Sequence, residues 1–229
     1  MPHHTALQAL QHTLLSHANP QKAQAMADYQ RGQFVFIGLA APERRALVKS
    51  LGWKKFPRTE LLALVQACWE LPQREFQYVA VDLLAAHHKL LQTEDIALLL
   101  ALAQQHSWWD SVDGLAGVMG DLLFRLRSTD AGVMATMDAA IRHENFWVRR
   151  IAMLHQLGWR EATDTQRLFG YALQLSHEQE FFIRKAIGWA LRDYAREAPE
   201  AVRAFVLVHR DQLSPLSQRE ALKHCADSA

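Results

Sequence analysis

Apolar residues recur at helical spacing along almost the whole chain. One pattern repeats with residues at positions i, i+3, i+4 and i+7. It occurs four times, starting at Phe76, Val112, Val148 and Ile183, and only the third copy ends on a polar residue, His155. Residues three and four apart lie on one face of an α-helix, so each copy predicts an amphipathic helix with this face buried.

The four copies are regularly spaced, with steps of 36, 36 and 35 residues. Weaker copies start at Pro42 and Ser217, and they carry more polar residues, such as Lys49 and Glu220. A period of roughly 34–47 residues with two helices per unit is typical of an α-solenoid of the HEAT, armadillo or tetratricopeptide kind, in which the terminal units cap the stack. We therefore predict an all-α solenoid of about six repeats with a concave face, forming one continuous domain over 1–229.

Each inner repeat is predicted to contain a first helix, a short turn and a second helix that holds the repeated pattern. Pro72 is expected at the start of a second helix, where its missing N–H costs least. Ser214 and Pro215 are expected as the N-cap and the first residue of the last helix. The predicted helix pairs are 58–70 with 72–91, 94–105 with 107–126, 130–142 with 145–158, 163–176 with 178–196, and 198–210 with 215–226.

The charge balance excludes a strongly basic protein, because the net charge is +1 with His neutral. Any binding of DNA must therefore depend on where the cations lie. Cys68 and Cys225 form neither a disulfide framework nor a metal-ligand pattern, and the paired histidines lack ligand context, so we expect no metal and no cofactor. The N-terminus does not resemble a signal peptide and the longest apolar runs are too short for a bilayer, so we expect a cytoplasmic protein that does not contact membranes.

The segment "SWWDSVD" (107–113) places two carboxylates beside two tryptophans. Ser107 is expected to be an N-cap, with Asp110 at the capping-box spacing. Asp113 lies beyond the first turn, and it shares a helix face with Trp109 four residues earlier. Two interpretations of Asp113 remain open: a catalytic carboxylate at the rim of the concave face, or a partly buried carboxylate near an Arg of a neighbouring helix.

Cations recur at two neighbouring positions of the repeated pattern. Arg149 and Arg184 occupy its second position. The position after it is a cation in four of the six copies, namely Arg44, Arg150, Lys185 and Arg219. A line of cations along stacked helices would match a phosphate backbone, although a solvated face is the commoner meaning of surface Arg. Trp189 points in nearly the same direction, which favours contact with a ligand or packing against the next repeat.

Seven segments spread over most of the chain carry a family resemblance. They are "NPQKAQAMADY" (19–29), "GLAAPERR" (38–45), "LPQREFQYVAVDLL" (71–84), "SWWDSVD" (107–113), "FWVRRIAMLHQL" (146–157), "EFFIRKAIGWALRDYA" (180–195) and "LSQREALKH" (216–224). In these segments the sequence resembles the AlkD-type DNA glycosylases of the DNA alkylation repair family. The resemblance implies HEAT-like repeats that form a concave, C-shaped surface. One departure is Ala40, where close relatives tend to carry a polar residue.

The resemblance also implies roles for individual residues. By position, Trp109, Asp113 and Trp189 match the active-site trio of the family. Arg150 matches a basic residue near the DNA backbone at the lesion, and Tyr29 matches a further residue of the site. One branch of the family is thought to have lost its catalytic residues, but this sequence keeps Asp113 and both tryptophans, which places it in the active branch.

The implied activity is excision of purines alkylated at N3 or N7, by hydrolysis of the N-glycosidic bond in double-stranded DNA. Such a base is already cationic and leaves readily, so one carboxylate is enough. Asp113 would stabilise the oxocarbenium-like sugar and orient water. The protein is expected to act as a monomer. A DNA-binding repeat protein without catalysis and a protein-interaction scaffold are the alternatives.

Overall fold

The structure is a computed structural model that describes residues 2–53, 56–223 and 225. These residues form thirteen α-helices and two single 3₁₀ turns, and contain no β-strand beyond an isolated bridge between Val35 and Gln73. The all-α prediction is therefore confirmed. Within the described ranges, no helix is both long and apolar enough to cross a lipid bilayer.

The chain divides after Leu91 into two compact units, and the prediction of one continuous domain stays a prediction. The first unit contains α1 (His3–Leu15), α2 (Pro20–Tyr29), α3 (Ala41–Ser50), α4 (Arg58–Trp69) and α5 (Arg74–Ala86). The second unit contains α6 (Asp95–Leu102), α7 (Trp109–Leu126), α8 (Ala135–Ala140), α9 (Phe146–Leu154), α10 (Thr165–Gln174), α11 (Phe181–Tyr194), α12 (Pro199–Val208) and α13 (Pro215–Ala221).

The repeated apolar pattern is buried in all four copies. The residues of these copies are at most 6% exposed. The copies lie on α5, α7, α9 and α11, and the last residue of the third copy, His155, is the C-cap of α9. In the second unit α7 packs on α9, α9 packs on α11, and α11 packs on α13. Within this unit the helices that carry the pattern therefore stack in sequence order, as expected for a helical solenoid.

Several helix ends differ from the sequence prediction. Pro72 does not begin a helix, because α5 starts at Arg74 and the residue before it supplies its N-cap. The same helix stops at Ala86, short of the predicted residue 91. Ser214 is an N-cap as predicted, and its hydroxyl accepts a hydrogen bond from the Ser217 N–H. The predicted helix 215–226 is helical only to Ala221, and residues 224 and 226–229 lie outside the described residues.

Glycine allows the closest approach between stacked helices. A Cβ atom added to Gly120 on α7 would lie 2.2 Å from the carbonyl oxygen of His155, which follows α9. This distance is far below a van der Waals contact, and the atom in the way is backbone. The α7–α9 packing therefore requires glycine at this position.

The substitution Gly120→Ala should lower the free energy of unfolding by roughly 1–3 kcal/mol, because the helices must move apart to admit the methyl group. Gly117→Ala is the matched control on the same helix, since its added Cβ meets nothing within 4 Å. The control should gain about 0.5–1 kcal/mol from helix propensity. Urea denaturation measures both variants, and equal stabilisation by the two would contradict the close packing.

His155 is a core residue of the repeated pattern. It is 1% exposed and its Nδ1 lies 2.6 Å from the Ala152 carbonyl oxygen. Its Nε2 has no hydrogen-bond partner among the described residues. Burial lowers the pKa of His155 from 6.5 to about 4, so the ring is neutral in the folded protein at neutral pH.

Protonation of His155 should destabilise the protein at acidic pH. Because the folded pKa lies below the unfolded value, the stability is present above pH 6.5 and is lost as the pH falls towards 4. The loss over this window should reach about 3 kcal/mol for the one group. His155→Leu should flatten the dependence of unfolding free energy on pH, measured by urea denaturation. Parallel curves for the two proteins would refute a buried neutral imidazole.

Candidate functional site

The segment 107–113 begins α7, but its first residues do not form the predicted capping box. Trp108 is the N-cap and its side chain makes no capping hydrogen bond. The Ser107 hydroxyl instead donates to the Ala103 carbonyl oxygen at 2.7 Å. Asp110 does lie in the first turn, as predicted, and accepts a hydrogen bond from the neighbouring Ser111 N–H. The helix thus starts two residues later than expected.

Asp113 pairs with Arg150 across the α7–α9 interface. The Arg150 Nε donates to Asp113 Oδ1 at 2.7 Å, and its Nη2 donates to Oδ2 at 2.8 Å. The Arg150 side chain is 1% exposed, whereas the Asp113 side chain is 25% exposed. The Arg150 Nη1 also donates to the Phe182 carbonyl oxygen on α11. One guanidinium group therefore joins three stacked helices and leaves part of the carboxylate open.

The electrostatics of Asp113 combine opposing effects. Burial raises the pKa of the carboxyl group above its ordinary value. The hydrogen bonds and the charge of Arg150 oppose this rise, and the charge of Asp110 adds to it. The carboxylate is therefore held in an environment where its negative charge is costly and is balanced chiefly by one cation.

Trp189 lies beside this ion pair. The centre of its ring is 5.3 Å from the guanidinium carbon of Arg150. Trp109 is the first residue of α7, one turn before Asp113, and is partly buried. The second unit thus brings Asp113, Arg150 and Trp189 together, with Trp109 on the helix that supplies the carboxylate.

The four cations at the repeated position do not share one environment, which excludes a uniformly solvated face. Arg150 is buried by its pairing with Asp113. Arg44 is also buried, and its Nη2 donates to Asp82 Oδ2 at 3.0 Å. Arg219 is exposed. Arg44 and Arg150 turn inward because a helix packed against each of them supplies a carboxylate, from Asp82 and Asp113 respectively.

The other predicted DNA-binding cations also have partners within the protein. Arg149 forms an ion pair with Glu178 at 2.7 Å. The Arg184 Nε donates to the Glu178 carbonyl oxygen at 2.8 Å. Lys185 Nζ lies 2.7 Å from Glu220 Oε1. The roles of these cations in binding DNA stay predictions.

Tyr29 belongs to the first unit and is strongly exposed. It lines a cleft of about 440 Å³ together with Ala40, Arg44 and Tyr78. The small side chain of Ala40 makes this part of the cleft apolar. The contact of Tyr29 with DNA stays a prediction.

Sequence reasoning missed an aromatic cluster at the start of the stacked helices. The ring of Phe182 lies 5.3 Å from Trp108 and 4.9 Å from Trp147, centre to centre. Phe182 also supplies the carbonyl oxygen that holds Arg150. An aromatic residue directly before the pattern in two consecutive copies, Trp147 and Phe182, was the available signal.

The described residues contain no group of three or more His, Cys, Asp or Glu side chains arranged to hold a metal ion. The chemistry available at Asp113 is that of a carboxylate beside an aromatic face: stabilisation of positive charge and acceptance of a proton from water.

Comparison with known proteins identifies the family. A family model described as DNA alkylation repair enzyme matches residues 10–225. A solved structure of a predicted DNA alkylation repair enzyme from Enterococcus faecalis has 35% identity and a TM-score of 0.83, covering 92% of this chain and 98% of that chain. No curated protein matches the sequence. The chain belongs to the DNA alkylation repair enzyme family, which supports a role in the repair of alkylated DNA.

A second solved structure shares the fold alone. It is smu.31 from Streptococcus mutans UA159, with 15% identity and a TM-score of 0.58 over 90% of this chain and 98% of that chain.

Removal of the Arg150 side chain should destabilise the protein, because Asp113 loses its counter-ion and three helices lose a shared tie. We expect Arg150→Ala to cost about 2–4 kcal/mol of unfolding free energy. Arg45→Ala is the control, since this side chain also pairs with a carboxylate, at 2.8 Å from Asp82, but is 64% exposed. The control should cost less than about 1 kcal/mol. Urea denaturation distinguishes the two, and equal losses would show that burial adds nothing to the pair.

Proposed function

We propose that the protein is a DNA glycosylase that hydrolyses the N-glycosidic bond of N3- and N7-alkylated purines in double-stranded DNA. The observation that carries this proposal is the partly open carboxylate of Asp113, held by Arg150 beside the ring of Trp189. Membership of the DNA alkylation repair enzyme family supports DNA as the substrate.

The chemistry needs one carboxylate. Alkylation at N3 or N7 makes the purine cationic, so the bond from C1′ to the base breaks with its electron pair moving onto the base. The sugar then has oxocarbenium character, as in glycoside hydrolysis generally. Asp113 stabilises this cation and accepts the proton of the water that attacks C1′. The products are the free alkylated base and an abasic site.

The neighbours of Asp113 have supporting roles in this reaction. Arg150 fixes both carboxylate oxygens, so the open edge of Asp113 is presented in one orientation. The faces of Trp109 and Trp189 attract positive charge and exclude bulk water from the sugar, apart from the water that attacks C1′. Contact of Arg150 with a DNA phosphate is the alternative role for this residue, because the guanidinium would have to leave its buried position and release Asp113 to make it.

The substitution Asp113→Asn should reduce the release of N7-methylguanine from a duplex by about 100–1,000-fold, because the negative charge at the sugar is lost. The measurement is single-turnover base release with the enzyme in excess. Asp110→Asn is the matched control, since this carboxylate precedes Asp113 by less than one turn in the same helix and lies in its first turn. The control should stay within about threefold of wild type.

Three results would count against the proposal. Unchanged release by Asp113→Asn would exclude the carboxylate mechanism. Binding of lesion-containing DNA without base release by the wild-type protein would favour the non-catalytic DNA-binding alternative. Absence of DNA binding at low salt would favour an interaction scaffold.

A further inference from the structure

Glu220 on α13 is the anchor for two cations of α11. Lys185 Nζ lies 2.7 Å from Glu220 Oε1, and Arg192 Nη1 lies 2.6 Å from Oε2. Each carboxylate oxygen of Glu220 thus pairs with one cation. The Glu220 side chain is only 17% exposed, so both ion pairs are largely shielded from solvent. The proposed chemistry gives this carboxylate no part in the reaction.

The same two cations lie over Trp189. Lys185 Nζ is 5.4 Å from the centre of the indole ring, and the guanidinium carbon of Arg192 is 5.9 Å from it. Lys185 precedes Trp189 by four residues and Arg192 follows it by three, so all three side chains share one face of α11. Glu220 therefore gathers its cations around the ring of a candidate site residue.

The backbone of α11 allows this approach at the residue before Trp189. A Cβ atom added to Gly188 would lie 2.4 Å from the Cβ of Glu220 and 3.0 Å from the Ser217 carbonyl oxygen. The hydrogen bond and the charge of Lys185, together with the charge of Arg192, lower the pKa of Glu220. The packing of α13 on α11 thus brings Glu220 against the backbone next to Trp189, with its two cations beside the indole ring.

We propose that Glu220 is a positioning residue for Trp189: it fixes the orientation of the indole and offsets the two cations beside it. The inference rests on the proposed glycosylase function. Loss of Glu220 would leave Lys185 and Arg192 uncompensated next to the ring, and their charge would oppose an oxocarbenium-like sugar there. The effect falls on the transition state, which carries the positive charge, more than on the binding of DNA.

The test compares Glu220→Ala and Glu220→Gln in the full-length protein. We expect Glu220→Ala to lower kcat for N7-methylguanine release by about tenfold with KM for the duplex within about twofold. Glu220→Gln keeps the size and one acceptor oxygen but loses the charge, so it should give an intermediate kcat. The second measurement needs no activity: ¹⁹F NMR of protein labelled with 5-fluorotryptophan, with the Trp189 signal assigned by Trp189→Phe.

Asp138→Asn is the matched control. Asp138 also accepts hydrogen bonds from a cation of another helix, Arg167, and its other side-chain donor is Tyr171, which is not a residue of the candidate site. It should lose stability without a change in kcat or in the Trp189 signal. A Trp189 signal that stays in place in Glu220→Ala would overturn the positioning role. A similar fall in kcat for Asp138→Asn would overturn it too, by showing a general effect of destabilisation. If wild type releases no base, the proposed function fails, while the ¹⁹F shift still decides whether Glu220 orients Trp189.

Discussion

The ion pair between Arg150 and Asp113 links the fold of the second unit to its candidate site. A guanidinium group that is almost fully buried is stable only with its charge and donors satisfied. Asp113 on α7 and the Phe182 carbonyl on α11 satisfy it from either side of α9. The stacking of the three helices and the placement of the carboxylate are therefore one constraint, and neither can change without the other.

Ion pairs between neighbouring helices that carry the pattern occur elsewhere along the chain, but there the carboxylate comes from the following helix and not from the preceding one. Lys185 pairs with Glu220 across α11 and α13, and Arg44 pairs with Asp82 across α3 and α5. Each pair joins residues separated by about one repeat, so the cation of one helix meets the carboxylate of the next helix that carries the pattern. An ion pair between stacked repeats costs desolvation, but it specifies which face of each helix turns towards its neighbour.

The core could be predicted from the sequence, whereas the polar partners could not. Ile151, for example, is one of the apolar residues that recur at helical spacing, and this spacing alone predicts that it is buried. The direction of Arg150 depends on a carboxylate 37 residues away, which periodicity does not reveal. Asp113 pairs with an Arg of a neighbouring helix, which is the geometry of the structural interpretation. Its carboxylate is still partly exposed, which the catalytic interpretation requires.

The ends of the helices were also predicted less well than the core, because local hydrogen bonds decide where a helix begins. Ser214 and Pro215 are enough to specify the start of a helix. The Ser214 hydroxyl caps a backbone N–H of the first turn, and Pro215 has no N–H that would need a partner. Ser107 has the right residue type, but its hydroxyl reaches back to the Ala103 carbonyl of the preceding segment. The Ser107 hydroxyl could bond either to this carbonyl or to an N–H of the following helix, and the geometry of the turn decides between them. Residue spacing alone does not predict that geometry.

The charges around Trp189 suit a substrate that carries both signs. Arg150, Lys185 and Arg192 lie within 6 Å of the ring centre, and Asp113 and Glu220 oppose them, so three cations and two carboxylates leave one net positive charge. A DNA strand at the proposed site brings negative phosphates, which this excess attracts, and a sugar that becomes positive only in the transition state. The open edge of Asp113 serves the second need. A carboxylate fully enclosed by cations would lose that function, so the part of Asp113 that the fold leaves exposed is the part that the proposed reaction requires.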